Sequence, residues 1–164
     1  MDESKLIEQA KETASDFLTQ MGLDADVTVT TKANDDEEKA DYLQINLEGD
    51  NLGELVGYHG KNLEAIQIIL GLFINKRIDD DKVRVLLDIN DYKVGREKYL
   101  MSYAIQAAEQ VRSSGQTMEL EPMRPYERRI IHMALKEEEG IETDSIGEGN
   151  ERRITIKSTA DKLF

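Results

Sequence analysis

Two short stretches carry residue types whose spacing suits chemistry with phosphate. In Val56-Gly57-Tyr58-His59-Gly60-Lys61-Asn62-Leu63, two glycines bracket two residues and a long apolar-periodic segment follows. Glycine accepts backbone angles that other residues resist, and its missing side chain lets a ligand approach the main chain. A helix starting behind such a loop turns unpaired N–H groups and a positive dipole end outward, which suits an anion. Lys61 adds a cation there. The second stretch holds Arg128 and His132, four residues apart and so on one helical face. Arginine grips phosphate through two parallel hydrogen bonds, and histidine can bond a phosphate or stack on a base. Arg124 lies one turn before Arg128, and Arg152 and Arg153 follow downstream, completing a candidate basic patch.

The elements that must position these groups are legible as periodicities. Leu6, Ile7, Ala10, Ala14, Phe17, Leu18 and Met21 make one stripe of a helix over residues 3–21, with Gly22 as its stop. Val27 and Val29 alternate in a strand over 26–31. Leu43, Ile45 and Leu47 alternate in one over 41–48, and Val83, Val85, Leu87 and Ile89 in a third. Residues 51–56 read as a short helix entering the glycine loop. Beyond it Leu63, Ile66, Leu70 and Phe73, with Ile69 and Ile74 beside them, place one helical face on a core. Residues 91–114 read as a long helix with Tyr99, Tyr103, Ala107 and Val111 on one side, ended by Gly115. Lys93, Arg96 and Lys98 at its start extend the basic surface. Thr117–Leu120 reads as a short strand. Pro125 suits the first turn of the helix bearing Arg128 and His132, and Glu127 is placed to accept its N-terminal backbone donors. Two closing strands follow at 141–145 and 152–157, with Ile154 and Ile156 inward and Arg153 outward.

Helix, strand, strand, helix, Gly-x-x-Gly, helix, strand resembles the type II KH topology of bacterial nucleic-acid-binding proteins. The Arg128–His132 spacing, within Leu120-Glu121-Pro122-Met123 through Arg152-Arg153-Ile154, resembles the R-three-H domain. The pairing of the two is similar to the bacterial Jag family, also called KhpB or EloR, over about residues 25 to 158. The resemblance implies an α+β fold. Its type II KH domain has a mixed three-stranded sheet with helices on one face, and a small α+β R-three-H domain follows. The boundaries it implies are an N-terminal helix at 1–24 packing on the KH domain, the KH domain at 25–90, and the R-three-H domain with its long connecting helix at 91–164. Longer members carry a further N-terminal domain. This chain starts close to the KH domain, so functions that depend on the extension are not expected. Members often have basic residues between the two glycines where this chain has Tyr58 and His59. A neutral tyrosine cannot balance a phosphate, though it can stack on a base.

Charge bounds these expectations. The chain has 164 residues and a net charge of −13. Residues 1–50 hold 14 acidic against 4 basic side chains, so the remainder is near balance and a local basic patch fits there. Phosphate binding relies on Lys and Arg, so affinity should be modest and sensitive to salt. Hydrophobic residues at 39% suffice for a packed core. The absence of cysteine rules out disulfides, cysteine metal sites and a thiol nucleophile. No long uncharged apolar run or signal pattern occurs, so a cytoplasmic protein without membrane insertion is expected. The acidic runs Asn34–Glu38, Asp79–Asp81 and Glu137–Glu139 lack the spaced ligands and glycine of a calcium loop and read as solvated.

The functional expectation is a non-catalytic binder of single-stranded RNA, or of single-stranded DNA, with Gly57, Tyr58, His59, Gly60, Lys61, Arg124, Arg128, His132, Arg152 and Arg153 at the contact. The alternative is a protein-interaction adaptor with weakened RNA affinity. No cofactor or metal is expected, and no third residue orients His132 for catalysis. The resemblance implies RNA-level regulation, a role in cell elongation and envelope growth, and pairing with a small single-KH protein.

Overall fold

A computed structural model describes residues 3–33, 42–78 and 82–159, in two compact units, Met1–Tyr92 and Lys93–Phe164. The acidic runs Asn34–Glu38 and Asp79–Asp81 lie outside the described residues.

The first unit runs α1 (Glu3–Gln20), β1 (Asp26–Lys32), β2 (Tyr42–Glu48), α2 (Gly53–Val56), a single tight turn at Tyr58–Gly60, α3 (Lys61–Arg77) and β3 (Arg84–Ile89). β1 and β2 are antiparallel, with Val27 opposite Leu47 and Val29 opposite Ile45. β2 and β3 are parallel, with Ile45 opposite Leu87. A parallel pair needs a crossover, and α2–loop–α3 is that crossover. The glycine loop therefore sits at one end of a connection whose two ends are fixed by the sheet. Val27, Val29, Leu43, Ile45, Leu47, Leu87 and Ile89 pack against Ala10, Ala14 and Leu18 of α1 and Leu63, Ile66, Leu70 and Ile74 of α3. β1 and β2 bury one face and leave the other open, so the helices cover one side of a mixed sheet.

Three details differ from the sequence reading. Phe73 and Ile69 flank the buried line rather than join it, and Phe73 is 48% exposed. Leu63, Ile66, Leu70 and Ile74 already fill the strip facing the sheet, because a helix against a flat sheet buries only its central rows. On α1 the polar Thr13 is buried instead. Its hydroxyl donates to the Gln9 carbonyl at 2.7 Å and accepts from Arg77 at 3.2 Å. α1 ends one residue before Met21, where the Leu23 N–H reaches the Leu18 carbonyl at 3.0 Å and satisfies the helix end.

The second unit carries α4 (Tyr92–Ser114, beginning on the last residue of the first unit), β4 (Met118–Glu119), α5 (Pro125–Leu135), β5 (Ile141–Ile146), a tight turn at Gly149–Glu151 and β6 (Arg153–Ser158). The sheet is antiparallel in the order β4-β6-β5. Leu100, Ala104, Ala107, Ala108 and Val111 of α4 pack with Ile131 and Leu135 of α5 and Ile154 and Ile156 of β6. Tyr99, expected on that stripe, is 56% exposed, and Tyr103 is half-buried. Leu100 and Ala104 take the core positions instead. Thr155 is buried as well, among side chains on the outer face of the sheet that include the Lys157–Asp144 pair at 2.9 Å and the Arg153–Glu119 pair at 3.8 Å.

Candidate nucleic-acid interface

The glycine loop is shaped from both sides. Gly57 has φ 68 and ψ −177, a backbone region nearly confined to glycine. A Cβ there would stand 2.5 Å from Cγ of Asn62. The Asn62 amide fills that space and donates to the Glu54 carbonyl at 2.7 Å, tying the end of α2 to the first turn of α3. Gly60 has φ 78, and a Cβ there would meet the Tyr92 ring at 2.9 Å. Asn62 and Tyr92 thus wedge the two glycines. Asn62 stands inside the glycine motif, but nothing in its spacing announces that role. Tyr92 gives no sequence signal, since it lies far along the chain from Gly60, beyond α3 and β3.

Between the glycines, His59 is held at φ 52 and ψ 32, and its ring stacks on Tyr58 with centroids 3.9 Å apart and planes within 18°. Tyr58 is exposed, and the Lys61 ammonium lies 5.9 Å from its ring centroid. Gly57, Tyr58, His59, Gly60 and Lys61 therefore form one tip, with the first N–H groups of α3 behind it. A cleft of 580 Å³ opens beside it, lined by Met21, Leu23, Leu55, Gly57, Asn62 and Ile66. Its floor comes from α2, α3 and the turn after α1.

In the second unit, α5 starts as expected. Pro125 is its first residue, and Glu127 Oε2 accepts the Arg124 N–H at 3.1 Å. Glu127 is only 1% exposed, and its Oε1 accepts from Arg96 Nε at 2.8 Å. This corrects one expectation. Arg96 faces inward as the partner of a buried carboxylate and adds no surface cation.

Arg128 donates to the Met123 carbonyl at 2.6 Å, so main chain rather than a carboxylate holds its guanidinium. One turn on, His132 Nδ1 lies 2.7 Å from the Thr143 hydroxyl on β5. Ser145, on the same side of β5 two residues later, accepts from Arg152 Nε at 3.0 Å. Arg128, the His132–Thr143 pair and the Arg152–Ser145 pair therefore follow one another, spaced by a turn of α5 and by two residues of β5, as a row of cationic, imidazole and hydroxyl groups. Thr143 and Ser145 were missed, because a hydroxyl on a strand carries no signal until the register is known. Arg153 lies apart from this row. It pairs with Glu151 at 3.2 Å and with Glu119. Among the described residues no group of three or more carboxylates or histidines could hold a metal ion.

Comparison with known proteins matches residues 11–87 to the KhpA/KhpB KH domain and residues 98–158 to the R-three-H domain. The chain is 34% identical to the RNA-binding protein KhpB of Clostridium symbiosum over 155 residues, covering 93% of this chain and 68% of that one. It is 30% identical to KhpB of Bacillus subtilis over 152 residues, covering 92% and 69%. Against KhpB of Streptococcus pneumoniae the identity is 31% over 133 residues, and the matched part is 39% of that protein.

Proposed function

This chain belongs to the KhpB family, a KH domain followed by an R-three-H domain, and on that premise we propose that it binds single-stranded RNA through two surfaces without catalysing a reaction. The observation that carries the reading is the row from Arg128 through His132, Thr143 and Ser145 to Arg152. Its guanidinium and hydroxyl groups match the acceptors of a ribose-phosphate backbone. The Gly57–Lys61 tip supplies a second contact, where the two glycines let a sugar–phosphate backbone come close to the main chain, Lys61 offers a cation and Tyr58 offers a ring to a base. Arg124 supports the first turn of α5. Arg153 contributes less, because two carboxylates share its charge.

A second reading has its own observation. Ile68 and Leu72 of α3 are 64% and 66% exposed, and Ile69 and Phe73 lie beside them. An apolar helical strip of this kind fits a protein partner. The single-KH protein expected from the family resemblance is the partner we propose for it. We place this work in the cytoplasm, in RNA-level regulation linked to cell elongation and envelope growth. That setting rests on the resemblance.

Fluorescence anisotropy of short single-stranded RNA and DNA across a salt series tests the reading. Wild type is compared with Tyr58→Asp/His59→Asp and with Arg128→Ala. The loop variant should weaken binding without unfolding the protein, since neither Tyr58 nor His59 belongs to the core. Arg128→Ala should flatten the slope of log affinity against log salt by about 0.7, one phosphate on a single strand. An unchanged slope would make Arg128 structural. Folded wild type that binds neither strand at low salt would favour the adaptor.

A further inference from the structure

The second unit presents an aromatic pair of which only one ring packs against its core. Tyr99 and Tyr103 lie one turn apart on α4, with ring centroids 5.9 Å apart and planes within 11° of parallel. The Arg96 guanidinium stands 5.3 Å from the Tyr99 centroid. Because Arg96 also holds Glu127, the pair is anchored beside the first turn of α5, the turn that leads to Arg128. Burial, then Tyr99 and then the Glu121 carboxylate, raises the pKa of the Tyr103 phenol. Glu121 belongs to the segment entering α5, so the rings border that segment too.

Tyr103 is seated against the core cluster, whereas Tyr99 leaves more than half its surface in water. The parallel rings are offset, so each leaves part of a face uncovered. Proteins that hold single strands combine cations that follow the backbone with rings that take the bases. Arg128, His132 and Arg152 supply the first kind of group, and the tyrosines supply the second. The Glu121 carboxylate beside Tyr103 disfavours phosphate there but leaves an uncharged base unopposed.

We propose that Tyr99, backed by Tyr103, is a stacking site for an unpaired nucleobase of the strand whose backbone lies along the Arg128–Arg152 row. This rests on the single-strand reading above and gives that surface a base contact.

The test uses the full chain, short single-stranded RNA and DNA, and a base-free oligonucleotide of the same length. Tyr99→Ala and Tyr99→Leu should lower affinity for both base-bearing strands by roughly fivefold or more. Tyr99→Phe should bind like wild type, because the ring and not the hydroxyl is used. The salt slope should stay unchanged, and all variants should bind the base-free strand equally. The chain has no tryptophan and six tyrosines, so quenching of tyrosine emission by added RNA, diminished in Tyr99→Leu, gives an independent signal. Tyr99→Leu keeps an apolar helix-forming residue, so the test does not depend on the alanine variant folding. Wild-type binding to RNA with no loss in Tyr99→Leu would overturn the stacking site alone. Equal losses on the base-free strand would overturn it as well. Failure of wild type to bind any strand would instead remove the reading beneath it.

Discussion

The two surfaces present anion-binding groups in opposite ways. At the Gly57–Lys61 tip the proposed contact runs along a glycine-bared main chain, and side chains behind it, Asn62 and Tyr92, hold its shape. Along α5 and β5 the proposed contact is made by side chains, and main chain and hydroxyls behind them hold their positions. A main-chain surface should be sensitive to added atoms and insensitive to the loss of one charge. A side-chain surface should behave the other way round. Substitutions at each can therefore separate geometry from charge.

The largest effect should come from the support of the second surface. Glu127 and Arg96 form an ion pair at 2.8 Å, with side chains only 1% and 10% exposed. Glu127→Ala would leave Arg96 charged and almost buried without its partner, and would strip the Arg124 N–H of its acceptor. Losing one member of a buried pair costs about 3–5 kcal/mol. Denaturant unfolding should show that loss in the Lys93–Phe164 unit, with the Met1–Tyr92 unit unchanged. A loss below about 1 kcal/mol would mean that Arg96 swings out to solvent.

Next comes the main-chain surface. Gly57→Ala places a Cβ against Asn62 in a backbone region that L residues avoid. The strain should cost about 1–3 kcal/mol in the first unit. RNA affinity should fall with no change in salt slope, because no charge is removed. The contrast with Arg128→Ala is then direct, since one variant alters affinity through shape and the other alters the slope. Wild-type affinity in a folded Gly57→Ala protein would break the comparison and leave the α5–β5 surface as the whole interface.

The sequence was most legible where a single period decides placement. Alternation located the buried positions of β1 and β2, and Pro125 with Glu127 located the start of α5. It was least legible where tertiary neighbours decide. The stripe on α3 had the right period but did not reveal its width, so Phe73 was counted into the core. The same limit hid the exposure of Tyr99. Arg96 looked like a surface cation because its partner stands 31 residues away. Thr143 and Ser145 became visible only once β5 was set against α5. The glycine motif named the tip but not the wedges that shape it.

The smallest effect, and the finest probe, is at Asn62. Its amide bonds a carbonyl near the end of α2, a four-residue helix whose terminal carbonyls lack helical partners. Asn62→Ala removes that bond and empties the space beside Gly57, while leaving the glycine angles permitted and every charge in place. A single such hydrogen bond contributes about 1 kcal/mol net. If the tip must be preformed to receive RNA, that energy should appear in binding as a loss of roughly fivefold at unchanged salt slope. Asn62→Asp keeps the shape but turns a carboxylate oxygen toward the Glu54 carbonyl, and should lose at least as much. If Asn62→Ala binds RNA as wild type does, Gly57, Gly60 and Tyr92 suffice to fix the cradle. If affinity falls while thermal stability does not, the clamp organises the loop for its ligand rather than holding the fold together.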